Sequence, residues 1–143
     1  MKSVKVDDVS REDKRTLRVV VIGAGMAGVL SAIKLQEAGY TDYIIYEKAD
    51  SIGGTWRANT YPGLACDVPS HSYTYSFEPN PDWSSVFAEG PEIRNYFENV
   101  AKKYEVMDRV RFGEEITACE FIDGRWQIRT SSGREDQADV VIA

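Results

Sequence analysis

The chain has 143 residues, with 17 basic against 23 acidic side chains and a formal net charge of −6. That length suits one domain burying roughly two-thirds of its unfolded surface, and 43% hydrophobic residues with 28% charged ones is ordinary globular composition. The acidic balance gives no electrostatic reason to bind nucleic acid or an anionic membrane. No apolar run approaches the ~18 residues that cross a bilayer. One histidine, His71, and two cysteines, Cys66 and Cys119, argue against a metal site or a disulfide scaffold. With a charged N-terminus and no signal-like segment, the expectation is a soluble cytoplasmic protein.

Residues 1–16 carry nine charges of both signs and read as a solvated arm. Leu17 to Ile22 is an apolar stretch ending at Gly23, which predicts a buried parallel strand. From Met26 the spacing becomes helical, with Met26, Val29, Leu30 and Ile33 on one face and Gly39 placed to stop the helix. Tyr43 to Glu47 is a second short strand, completing a βαβ unit. Between Asp50 and Asp82 periodicity disappears into a loop rich in glycine, proline and aromatic residues, a length that is usually functional. Pro91 opens a second helix, ending near Tyr104, with Ile93, Tyr96, Phe97 and Val100 on one face.

Val110–Phe112, Ile116–Phe121 and Trp126–Thr130 follow as strands, the last two flanking an Asp123-Gly124 hairpin turn. Ala138 to Ala143 predicts a third buried strand of the parallel sheet, and because the chain stops inside it, the chain reads as a fragment. The pair Lys102-Lys103 and the pair Glu114-Glu115 read most simply as solvated surface.

The run Gly23-Ala24-Gly25-Met26-Ala27-Gly28 matches G-x-G-x-x-G between a strand and a helix. The first glycine turns the chain, the second lets backbone approach a pyrophosphate, and the third permits close helix–strand contact. Free N–H groups and the dipole at the helix start favour phosphate there. Glu47 ends the second strand 24 residues after Gly23, where a carboxylate can accept ribose hydroxyls and repel a 2′-phosphate. Lys48 follows it. The combination predicts an α/β, Rossmann-like dinucleotide-binding fold over residues 17–143, three-layered with a β-hairpin or meander insertion. A glycine turn without a ligand is the alternative.

Gly53-Gly54-Thr55-Trp56 then leads into Tyr61-Pro62-Gly63 and Asp67. With this run the sequence resembles the Baeyer–Villiger monooxygenases, whose FAD domain carries [A/G]GxWxxxx[F/Y]P[G/M]xxxD. Cys66-Asp67-Val68-Pro69-Ser70 and Tyr73-x-Tyr75-Ser76-Phe77 are most similar to the 4-hydroxyacetophenone monooxygenase branch. The resemblance implies FAD contacts at Gly54, Thr55, Trp56, Asp67, Tyr73 and Ile116, beside those of the glycine loop, Glu47 and Lys48. It makes Asp67 the catalytic candidate, paired in the family with an arginine from later in the chain. Core packing for Trp56, Tyr73 and Ile116, and loop capping for Asp67, are the structural alternatives.

Asp67 stands among apolar and aromatic neighbours, where a carboxylate is expected to need a cation. Cys66 reads as a small buried thiol rather than a nucleophile, and His71 as a loop hydrogen-bonding residue.

The activity implied is NADPH-dependent insertion of one oxygen atom from O2 into a ketone, giving an ester or lactone. A nitrogen- or sulfur-oxygenating flavin monooxygenase and a non-catalytic dinucleotide-binding module stand as alternatives, the first disfavoured by Asp67. The chain contains no second G-x-G-x-x-G for NADPH and no FxGxxxHxxxWP fingerprint, so by itself it is expected not to turn over. The ketone and the oligomeric state are left open by the pattern.

Overall fold

The computed structural model describes residues 16–143; the arm expected over residues 1–16 lies outside them except for Thr16. Strand β1 (Val19–Ile22), helix α1 (Met26–Glu37) and strand β2 (Tyr43–Glu47) come first. A single helical turn α2 (Thr55–Ala58) and a 3-10 turn (Ser70–Ser72) lie within the long loop, followed by α3 (Gly90–Lys103). After a 3-10 turn at Met107–Arg109 come β3 (Val110–Phe112), β4 (Ile116–Ile122), β5 (Arg125–Thr130), β6 (Glu135–Ala138) and β7 (Val140–Ile142).

A four-stranded parallel sheet has the order β3-β2-β1-β7, and β4-β5-β6 form an antiparallel meander. Alternation along β1 and β2 sends side chains to two cores. Val19, Val21, Tyr43 and Ile45 pack with α1 and α3, whereas Val20, Ile44 and Tyr46 pack with Ile128, Trp126 and Ala138 of the meander. Helices, parallel sheet and meander are therefore the three layers.

Helix α1 buries Gly28, Val29, Ala32 and Ile33, while Met26 is 41% exposed. The apolar spacing misplaces this face, because two of its closest-packing residues are small ones. Gly39 ends the helix as expected: at φ +83° it donates to Gln36 O, and Tyr40 N–H reaches Leu35 O. Helix α3 begins at Gly90 with Pro91 in its first turn and buries Ile93, Tyr96, Phe97, Val100 and Ala101. At the hairpin tip Asp123 and Gly124 both have positive φ, at 50° and 84°, the geometry that suits the strand twist.

The predicted strand Ala138–Ala143 is two strands. Ala138 closes β6, Asp139 breaks the run, and Val140–Ile142 forms a fourth strand, at the edge of the parallel sheet, with Val140 39% exposed. Asp139 accepts the Arg18 N–H at 2.8 Å and returns its own N–H to Arg18 O at 2.9 Å. Val110–Phe112 also belongs to the parallel sheet, beside β2.

Arg18 fastens the meander to the sheet by a two-pronged contact with Asp136, Nε to Oδ1 at 3.0 Å and Nη2 to Oδ2 at 2.6 Å. Tyr46 donates its hydroxyl to the same carboxylate at 2.8 Å. Burial works to raise the Asp136 carboxyl, but hydrogen bonds from Arg18, Tyr46 and the Gln137 N–H outweigh it and hold the group below its usual range. Burial and Asp136 together push the Tyr46 phenol up to about 12.

A carboxyl depressed on folding stabilises the fold fully at neutral pH, and that contribution is lost as pH falls through the unfolded value of about 3.9 and then the folded one. Asp136→Asn is expected to cost about 2 kcal/mol at neutral pH, measured by urea unfolding. The gap to the wild type should narrow at about pH 2.5; an unchanged gap there would contradict the assignment.

Candidate functional site

Gly23 turns the chain out of β1 at φ +90° and donates its N–H to Tyr46 O at 2.8 Å. The third glycine is required by contact: a Cβ on Gly28 would lie 1.9 Å from Gly23 O, inside any permitted distance. Gly25 caps α1 with extended backbone and no side-chain cap, and no acidic residue occupies the first turn. The N–H groups opening the helix keep their positive end free of side-chain neutralisation, as an anion site requires.

Glu47 is 6% exposed, and its carboxylate is held on both oxygens. Ala24 N–H donates to Oε2 at 2.7 Å and Ala49 N–H to Oε1 at 2.9 Å. Each oxygen retains a lone pair, so the group can still accept two hydroxyls. From the other side Glu114 N–H donates to Glu47 O at 3.0 Å.

Gly23 and Glu47 line a cleft of about 250 Å³ with Ile22, Tyr46, Lys48, Glu114, Glu115 and Ile116. The structure thus gathers Gly23, Glu47, Lys48 and Ile116, four residues separated by up to 93 positions in sequence. It also adds Glu114 and Glu115, which the sequence reads as plain solvated surface. The available signal was their position directly before Ile116.

The second glycine pair meets the first. A Cβ on Gly54 would stand 3.0 Å from Gly25 Cα, and Gly53 N–H donates to Ala24 O at 3.1 Å. Gly54 opens α2, which carries Thr55, exposed, and Trp56, half-buried. Trp56 Nε1 donates to the Tyr73 hydroxyl at 3.1 Å, with the rings edge to face at 5.4 Å. Tyr73 then packs on Phe97 of α3.

Tyr75 ties this loop to the glycine helix. Its hydroxyl donates to Met26 O, its N–H donates to the Tyr96 hydroxyl at 2.9 Å, and burial pushes its phenol well above the ordinary range. Ser70, fully buried, joins the segment to residues 85–88 by bonding to the carbonyls of Ser85 and Val86 and accepting the Ala88 N–H. Trp56 also walls a second cleft, of about 290 Å³, with Arg57, Tyr61, Leu64 and Arg94 among its lining.

Asp67 departs from expectation. It is exposed, lines neither cleft, and makes no hydrogen bond or ion pair among the described residues. Cys66 and Ser70 turn inward, Sγ to Oγ 3.6 Å, and the intervening loop faces Asp67 to water, where a carboxylate needs no cation. Cys66 is the buried thiol expected. His71 is exposed and joins the loop through its carbonyl, which accepts the Thr74 hydroxyl.

Residues 21–89 match the family model of the NAD(P)-binding Rossmann-like domain. The chain carries a Rossmann-like domain. It is 53% identical over 125 residues to an uncharacterized monooxygenase of Mycobacterium tuberculosis, covering 87% of this chain and 25% of the relative. A Baeyer–Villiger monooxygenase of Streptomyces coelicolor is 45% identical over 129 residues, 89% of this chain and 25% of the relative. Among solved structures, an oxidised steroid monooxygenase bound to NADP superposes with TM-score 0.83 at 38% identity, covering 89% of this chain and 26% of that one. Cyclohexanone monooxygenase in an open form gives 0.81 at 35%, covering 87% and 26%. The chain spans about a quarter of the length of the curated relatives it matches.

In the Rossmann-like domain the Gly28 contact leaves no room for a methyl group. Gly28→Ala is expected to destabilise the fold by about 3 kcal/mol, read as a shift in urea midpoint, because both the clashing carbonyl and α1 must move. A change under about 0.5 kcal/mol would show that the turn relaxes freely.

Proposed function

We propose that the Rossmann-like domain, residues 17–143 behind a charged arm of residues 1–16, is the FAD-binding part of an NADPH-dependent flavoprotein monooxygenase. The reaction proposed for the whole protein takes a small-molecule ketone and O2 and gives an ester or lactone. The observation that carries this reading is the convergence of Gly23, Gly25, Gly54 and a buried, doubly hydrogen-bonded Glu47 on one end of the parallel sheet. Homology to enzymes named Baeyer–Villiger monooxygenase supports the chemistry.

The residues present fit a dinucleotide. Glycine at positions 25 and 54 keeps side chains out of a close backbone approach, which a Cβ on Gly54 would crowd at 3.0 Å from Gly25 Cα. Backbone N–H groups of Gly25, Met26, Ala27 and Gly28 would hold the pyrophosphate, on a turn that the Gly23 and Ala24 N–H groups shape through Tyr46 O and Glu47. Glu47 and Lys48 would hold the ribose, and Ile116 the adenine. Gly54, Thr55, Trp56 and Tyr73 would border the flavin, which when bound supplies the redox chemistry that activates O2.

The Tyr73 hydroxyl accepts from Trp56, so its own proton is free to be donated. Asp67, exposed and unpaired among the described residues, is open to a cation from another part of a longer protein, as its proposed catalytic role requires. The finer likeness to the 4-hydroxyacetophenone branch rests on residues 66–77 of the sequence.

The test is a titration of FAD with the purified chain, followed by quenching of flavin fluorescence. Saturable quenching is expected, with Glu47→Ala and Gly25→Val each weakening it at least about tenfold while circular dichroism confirms folding. Absence of quenching, or variants that bind like the wild type, would overturn the assignment.

A further inference from the structure

The cleft at the end of β2 has an uneven charge. Its lining carries three carboxylates, Glu47, Glu114 and Glu115, against the single ammonium of Lys48. Only Glu47 belongs to the glycine-loop pattern; the other two arrive from the segment that leads into β4.

Both are held where they stand. Glu114 N–H donates to Glu47 O at 3.0 Å, and its carboxylate accepts the Ser132 hydroxyl at 2.7 and 3.0 Å. Glu115 is tied through its backbone: its N–H donates to Ser131 Oγ at 3.2 Å and its carbonyl accepts the Ser131 N–H at 2.7 Å. Arg134 is the cation in contact with Glu114, at 3.5 Å, and lies outside the cleft lining. Hydrogen bonds from Thr130 and Ser132, with Arg134 behind them, hold the Glu114 carboxyl below its usual range, so it is ionised at neutral pH.

We propose that Glu114 and Glu115 are specificity-determining residues that act with Glu47 to make this cleft accept an adenine nucleotide with free ribose hydroxyls and reject one bearing a 2′-phosphate. This rests on the reading of the cleft as the adenosine site. A 2′-phosphate adds about two negative charges beside a lining that is already net negative. Each nearby carboxylate then adds a repulsion that the unphosphorylated ribose does not feel. Glu47 alone gives a hydrogen-bonding reason for the preference; Glu114 and Glu115 add a field that acts without contact. The β5–β6 turn, through Ser131, Ser132 and Arg134, thereby sets the ligand selectivity of a site on another sheet.

The experiment compares binding of 5′-AMP and adenosine 2′,5′-bisphosphate to the purified chain by calorimetric or NMR titration. Wild type, Glu114→Gln, Glu115→Gln and the double variant are measured at low and at high salt. The wild type should prefer 5′-AMP, each single substitution should lower the preference ratio about threefold and the pair about tenfold. High salt should narrow the wild-type ratio toward that of the double variant. Glu115 is exposed, so Glu115→Gln tests the idea even where Glu114→Gln perturbs the fold.

A ratio unmoved by both substitutions, with 5′-AMP still binding, overturns the proposal and leaves the adenosine site standing. No binding of 5′-AMP by the folded wild type overturns the site and the proposal together.

Discussion

Helix α1 can start where it does only because nothing stands between Gly28 and the carbonyl of Gly23, and the rest of the domain is assembled outward from that approach. With the helix pressed on the turn, Ala24 is buried and its N–H points at Glu47, while its carbonyl takes the Gly53 N–H. One residue thus joins the first glycine motif to the acid at the end of β2 and to the second glycine pair. A side chain at Gly28 displaces both links at once. That is a stronger constraint than the conformational freedom usually given as the reason for glycine, since Gly28 is helical and needs no positive φ.

From this hinge two chains of contacts run in opposite directions. One passes through Gly54 and Trp56 to Tyr73, Tyr75 and the aromatic face of α3, so that a loop of irregular backbone acquires a core of its own. The other passes through Glu47 and Glu114 to the β5–β6 turn. The meander is also clamped at its far side by Arg18, Asp136 and Tyr46. Buried ion pairs are weak evidence for net stability, because desolvation offsets their attraction. Their value here is placement: the clamp fixes the meander over Val20 and Tyr46, and so fixes which residues of its turn meet the cleft.

What the sequence disclosed follows from which forces are local. The turn at Gly23, the Schellman end at Gly39 and the Asp123-Gly124 hairpin each use a positive φ that few residues tolerate, and all three turns stand as read. Strand β6 was invisible because Glu135, Asp136 and Gln137 carry no apolar alternation; ladder bonds to β5 and the Arg18 contact hold it. The division at Asp139 was hidden for a similar reason, since its partner Arg18 lies 121 residues away. Glu114 and Glu115 looked like ordinary solvated charge because the cleft they border is made by β2, from a different part of the chain. Asp67 shows the reverse: its neighbours in sequence do not enclose it, because Val68 and Pro69 are exposed with it and only Cys66 and Ser70 of residues 66–70 are buried.

The same locality bears on how an acidic domain would hold the anionic cofactor proposed for it. The net charge is −6, and the cleft proposed for adenosine is itself negative. Attraction for a pyrophosphate cannot come from a long-range basic field, and the glycine turn contains no lysine or arginine. It has to come from oriented N–H groups at the start of α1, whose effect fades within a turn and so is not cancelled by distant carboxylates. That arrangement divides the labour along one ligand. In the proposed site, backbone dipoles at the turn would favour the bridging phosphates, whereas carboxylates at the end of β2 would favour neutral ribose hydroxyls and oppose any further phosphate beside them. Selectivity and affinity are then set by groups of opposite sign a few residues apart, and only a tight turn with no side chains in the way can bring them so close.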